Sequence, residues 1–142
     1  MLADNLKEIL ATTYSYKIKA QGFHWNVEGS NFPQYHEFFG EIYEDADSAI
    51  DPLAEYIRTL DVYAPASLKR FSELSKIEDQ LKIPKAELML SELLKDTETL
   101  IALLKDAFDV ATTDREQGIA NFLADRLSAH GKYKWQLSAT LK

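Results

Sequence analysis

The sequence predicts an all-α fold: a four-helix bundle whose second and third long helices are joined by a long crossover carrying a short helix. Three observations predict it. Glycine and proline are scarce, five and four in 142 residues. The chain therefore has few places to turn, and long helices suit it better than many short strands. Apolar residues make up 46% of the chain, and they recur at three- and four-residue spacing. The breaks in that spacing are uneven, two short ones on either side of a long one at residues 61–84. The length predicts one domain, residues 1–142.

The first helix is expected over residues 4–25, where Leu6, Ile9, Leu10, Thr13, Tyr16, Ala20 and Phe23 form one stripe. "NVEGSN" breaks it. The second helix is expected to start at Asn31 as cap, with Pro33 in its first turn and Gln34 three residues after the cap. It runs to about Leu60 on Tyr35, Phe38, Phe39, Ile42, Ala46, Ala49, Ile50, Leu53 and Ile57. Two prolines mark the crossover, which has room for one short helix, Ser67 to Leu74. The third long helix, Lys85 to Ala111, uses Leu88, Met89, Leu93, Leu100, Leu104, Ala107 and Phe108. "TTDREQG" predicts the next break. The last helix, Ile119 to Leu141, uses Phe122, Leu123, Leu127, Tyr133 and Leu137. Short connections make antiparallel neighbours, and the long one lets the third long helix run parallel to the second. That is the ferritin-like arrangement.

Composition excludes several classes of chemistry. The chain has no cysteine, which rules out disulfides, thiolate metal sites and cysteine nucleophiles. "MLADNLKEIL" has no basic segment followed by a long apolar run, and no apolar run reaches membrane-spanning length. A soluble, cytoplasmic protein without a membrane partner is expected. The net charge of −7 repels nucleic acid unless basic groups cluster, and it attracts cations. The basic residues occur only as small groups: Lys17 and Lys19, Lys69 and Arg70, Lys132 and Lys134.

The residues with metal-ligand chemistry lie in "GFHWNVEGSNFPQYHEFFGEIYEDADSAIDPLAEYIRTL". His24 and His36 are twelve positions apart, and Asp51 and Glu55 are four apart. On a helix, His36, Gly40, Tyr43, Asp47 and Asp51 share one stripe, with Glu44 and Glu55 just beside it. His36 and Asp51 are then roughly 22 Å apart at 1.5 Å per residue, too far for one ion. Two copies of the helix crossing antiparallel about a twofold axis near Tyr43 and Glu44 would set His36 of one against Asp51 of the other. An isologous dimer would carry two such sites. His24 could join its own His36 across the bend. Imidazole with carboxylate suits iron, zinc or manganese, and carboxylates stabilise ferric iron. By spacing alone the plainer alternative stands: a satisfied helix-end histidine and a solvated Asp–Glu pair.

The run "HWNVEGSNFPQYHEFF", followed by "DPLAE", resembles the Dps family, ferritin-like mini-ferritins first named for binding DNA in starved cells. The similarity extends to "SLKRFSELSKIED" in the crossover and to the tryptophan of "KYKWQLSATL". The resemblance implies a homo-oligomeric hollow shell of twelve subunits. It implies an enzyme, a ferroxidase that oxidises Fe2+ (preferably with hydrogen peroxide), stores ferric iron in the cavity and limits oxidative damage. It places metal and catalytic sites at the dimer interface, with His24 and His36 from one subunit and Asp51 and Glu55 from its partner. Trp25 matches a tryptophan beside the site, and zinc is the expected substitute ion if the departure at Gly40 alters the centre. Three departures qualify the match. Gly40 stands where the family usually has a carboxylate. Pro52 lies inside the second helix and is expected to kink it, re-aiming Asp51 and Glu55. No lysine-rich extension precedes the first helix or follows the last, so DNA binding at physiological salt is not expected. The alternative is a Dps-like shell with a weakened or inactive metal site and a structural or DNA-associated role. Asp109, Asp114, Glu116 and Asp125 are candidate pore residues, and His130 reads as structural.

Overall fold

The computed structural model describes residues 1–142. It has five helices and no strand: α1 (Leu2–Asn26), α2 (Phe32–Thr59), α3 (Leu68–Leu74), α4 (Ala86–Thr113) and α5 (Gln117–Thr140). The four long ones run from 24 to 28 residues. The short connections fold α1 onto α2 and α4 onto α5 as two hairpins. These dock chiefly through α1 and α4, while α2 meets α5 only sparsely and α3 lies on α1. This is the expected bundle with its crossover helix.

Local chemistry sets the ends. Ser67 caps α3, its Oγ accepting the Arg70 N–H at 3.1 Å, which is what an N-cap serine supplies. Asn31 occupies the cap position of α2 but makes no side-chain cap bond, and the capping box expected there is absent. Its φ of −101° and ψ of 24° lie outside the extended region from which a cap side chain turns back. The α4–α5 break is shorter than "TTDREQG" suggests, only Asp114–Glu116. A Schellman motif makes it compact: Glu116 N–H bonds to Ala111 O at 2.9 Å and Arg115 N–H to Thr112 O at 3.1 Å. Arg115 takes the left-handed conformation, φ 59°, that this motif requires.

The expected kink at Pro52 does not interrupt α2, which continues as one helix to Thr59. Seven further residues lie beyond the proline, and Leu53 and Ile57 among them are fully packed in the core. A buried leucine or isoleucine contributes about 1.5–3 kcal/mol, comparable with the roughly 3 kcal/mol cost of an internal proline. Leu88 is the one α4 stripe residue that misses the core, half exposed, while its neighbours Met89 and Leu90 are buried.

The core comes in two apolar clusters. One gathers Leu6, Ile9 and Leu10 with Leu53, Ile57, Leu104 and Leu123. The other gathers Tyr16, Phe23, Phe39, Ile42, Leu93, Leu100 and Leu137. Between them is a polar layer. Tyr16 Oη lies 2.7 Å from Thr97 Oγ1. Arg126 on α5 donates two hydrogen bonds to the Asp45 carboxylate on α2, at 2.7 and 3.2 Å. Arg126 also donates to His130 Nε2 at 3.2 Å. Beside this layer, Lys19 on α1 donates to Asp96 on α4 at 2.7 Å, both buried.

Candidate metal centre

His24 is in the last turn of α1 and His36 is early in α2. The turn between them uses Gly29 at φ 118°, a conformation L side chains rarely adopt. It folds the end of α1 back so that the two imidazoles stack, with centroids 3.9 Å apart and planes 13° from parallel. Each ring then reaches the other residue's backbone. His24 Nδ1 is 2.5 Å from His36 O, and His36 Nδ1 is 2.6 Å from His24 O. The His24 carbonyl is one of the C-terminal carbonyls that α1 itself leaves unpaired.

These bonds fix the tautomer. A carbonyl only accepts, so Nδ1 carries the proton on both rings. In the neutral imidazoles that leaves both Nε2 lone pairs free for a metal ion, and a ligating histidine typically donates its other ring N–H to a carbonyl in this way. Aromatic neighbours hold the rings in place: Phe32 stacks with His36 at 5.1 Å, and Tyr43 lies 5.4 Å from His24. Gly40 sits beneath His24. A Cβ at Gly40 would fall 3.0 Å from both Cε1 and Nδ1 of the His24 ring. The imidazole fills the space a side chain there would need.

Asp51 and Glu55 are further along α2, both exposed. No three His, Asp or Glu side chains converge within the chain. One chain thus brings His24 and His36 together and leaves Asp51 and Glu55 apart from them. Asp47, between the two halves, pairs with Lys17 at 3.7 Å. A ferritin-like domain model matches residues 3–142 of this chain. The chain is 34% identical over 125 residues to the DNA protection during starvation protein of Brevibacillus brevis, covering 88% of this chain and 84% of that one.

The chain belongs to the Dps family of ferritin-like proteins.

Solved structures of relatives match it closely. The crystal structure of antigen TpF1 from Treponema pallidum has a TM-score of 0.96 at 28% identity, covering 99% of this chain and 91% of that chain. The Dps protein of Vibrio cholerae O1, described as a member of a broad superfamily of ferritin-like diiron-carboxylate proteins, has a TM-score of 0.95 at 28% identity. It covers 99% of this chain and 89% of the other. Within this Dps-family chain, sequence reasoning singled out the histidines and carboxylates. It did not anticipate the clamp: Phe32 against His36, the reciprocal carbonyl bonds, and Gly40 as the surface under His24. Sequence offers a weak signal for the last alone, a glycine inside a helix one turn after a histidine.

Proposed function

We propose that the protein is a ferroxidase and iron store: a closed shell of twelve identical subunits that oxidises Fe2+ at sites shared between two of them. The observation that carries this reading is the clamped histidine pair, both Nε2 atoms free, with His24 on α1 and His36 on α2, the helix that also presents Asp51 and Glu55 to solvent. In the family's arrangement, His24 and His36 meet the partner's copies of Asp51 and Glu55. The carboxylates supply negative charge that favours the ferric product over Fe2+. Hydrogen peroxide is the proposed oxidant, each molecule taking up one electron from each of two Fe2+ ions. Zinc is the competing ion.

An apolar groove beside the site supports a second copy as partner. Trp25, Ile18, Leu68, Leu81 and Ile83 are all exposed in the single chain and border one groove of about 520 Å³. Burying such side chains favours association. No helix is long and apolar enough to cross a membrane, and a cytoplasmic shell is the proposed setting. The net charge of −7 per chain argues against direct DNA binding.

Anaerobic loading with Fe2+ followed by peroxide tests the activity. Oxidation is expected to outpace a protein-free control, and the double change His36→Ala with Asp51→Ala is expected to remove the difference. A rate equal to the control in the unaltered protein would sink the reading. The second reading, a shell whose metal site is disabled, is favoured by Gly40. It predicts full assembly with no acceleration.

A further inference from the structure

We propose that the Arg126 guanidinium is a tethered plug in a cation site, formed by Asp45 and His130 in the polar layer of the bundle, and that it keeps metal ions out of the subunit interior. This site does not involve His24 or His36, and the inference does not depend on the inter-subunit reading above. It starts from one atom. Arg126 Nη2 lies 2.7 Å from Asp45 Oδ2 and 3.2 Å from His130 Nε2. Asp45 is on α2, while Arg126 and His130 are on α5. A carboxylate oxygen and an imidazole nitrogen from two helices thus converge on a single cationic group. Arginine only donates, so His130 turns a lone pair toward that point. Burial first, and then the Arg126 charge, keep the ring neutral. A neutral imidazole beside a carboxylate is a donor set for a divalent ion.

The surroundings suit a cation. The Asp45 side chain is 29% exposed against 10% for Arg126, so the carboxylate forms the open side of the site. Glu41 is one turn earlier on α2 and exposed. Burial, then Asp45 and more weakly Glu41, push the Tyr133 hydroxyl up, with Arg126 pulling the other way. The two carboxylates therefore act on the same corner of the layer. An ion bound to an imidazole and a carboxylate lies about 2.0–2.2 Å from each, so both sides would close by roughly 1 Å or less. The chain fills this place with a cation of its own. Tethering gives the guanidinium a high effective concentration at the site. A free ion must displace it and leave a buried charge without its partner.

Co2+ titration of the assembled protein at neutral pH, followed by calorimetry and visible absorption, tests this. The reference is the triple variant Arg126→Met, Asp45→Asn, His130→Gln, which lacks plug and donors alike. Ions bound elsewhere then cancel, those between subunits included, so the count is independent of the inter-subunit reading. Wild type is expected to bind no more Co2+ than the reference, and Arg126→Met one more ion per subunit. An extra ion in wild type would show the site already open, and no extra ion in Arg126→Met would show that there is no site; either overturns the proposal. Arg126→Met leaves Asp45 uncompensated and is expected to be unstable without metal. If it does not fold alone, Co2+ is expected to restore its helical circular dichroism and its assembled size. Failure of Co2+ to do so refutes the site, and recovery on mild acidification instead would identify an orphaned carboxylate and nothing more.

Discussion

His130 is buried to 1% exposure, and its environment makes a pH prediction. An arginine only donates, so the Arg126 bond leaves the His130 proton on Nδ1, a buried atom with no partner. Burial first, and then the Arg126 charge, push its pKa down to about 3, with Asp45 pulling the other way. Tyr16 and Tyr133 pack edge-on against the same ring. The folded protein therefore keeps His130 neutral, while the unfolded chain binds a proton below about 6.5. The stability this histidine supplies is complete above that pH and is lost as pH falls toward 3. The slope is about 1.4 kcal/mol per pH unit. Chemical denaturation at pH 6.5 and pH 5 is expected to differ by about 2 kcal/mol from this group, and His130→Gln is expected to flatten that part. The sequence reading of His130 as structural agrees with its place in the core. Its partners were not legible, because Asp45 and Arg126 are 81 positions apart and neither type signals burial. Gly40 was legible only as a missing carboxylate, since a sequence cannot show which ring will fill the gap.

Arg115 holds a left-handed conformation, φ 59°, at the end of α4. A non-glycine residue there costs roughly 1 kcal/mol or more. Arg115→Gly is expected to relieve about 0.5–1 kcal/mol net of unfolded-state entropy, seen as a higher thermal midpoint. The Lys19–Asp96 pair joins α1 to α4. Burial pushes the Asp96 carboxyl up, while the Lys19 hydrogen bond and charge pull it back. Lys19→Met strands that carboxylate and is expected to cost about 3–5 kcal/mol, whereas Lys19→Met with Asp96→Leu is expected to be nearly neutral. A double-mutant cycle by urea denaturation measures both. The long helices were legible because apolar spacing marks a buried stripe directly. Polar residues on that stripe were not, because the pattern shows which face is inside but not that a charge there has found its partner. The break after α4 read as seven residues because Thr112, Thr113, Gln117 and Gly118 look like loop by composition; they are helical because the Schellman turn needs so few.

For the whole molecule, the exposed apolar groove and the separation of His24 and His36 from Asp51 and Glu55 both fit the proposed pairing with a second copy. Native sizing is expected to give a large closed oligomer and no stable monomer. Trp25→Lys, a charge placed in the groove, is expected to shift the population to smaller species. A gel-shift with duplex DNA at about 150 mM salt is expected to show no retardation at micromolar protein. The candidate site was half legible. Residue types and spacing named candidate ligands and argued that one helix could not gather them. The stacked rings and the tautomer they lock depend on the φ of one glycine and on two carbonyls, and no spacing rule reports those.

The polar layer between the two apolar clusters also works as an alignment key. Leucine and isoleucine stripes tolerate sliding, because one turn along, about 5.4 Å, another apolar side chain fills much the same space. Asp45 and Arg126 do not tolerate it. A slip of α5 by one turn would carry the guanidinium away from the Asp45 carboxylate and break both hydrogen bonds between them. Where α2 and α5 touch so little, this clasp, together with the Tyr16–Thr97 and Lys19–Asp96 pairs between α1 and α4, distinguishes the correct alignment of the hairpins from its near neighbours.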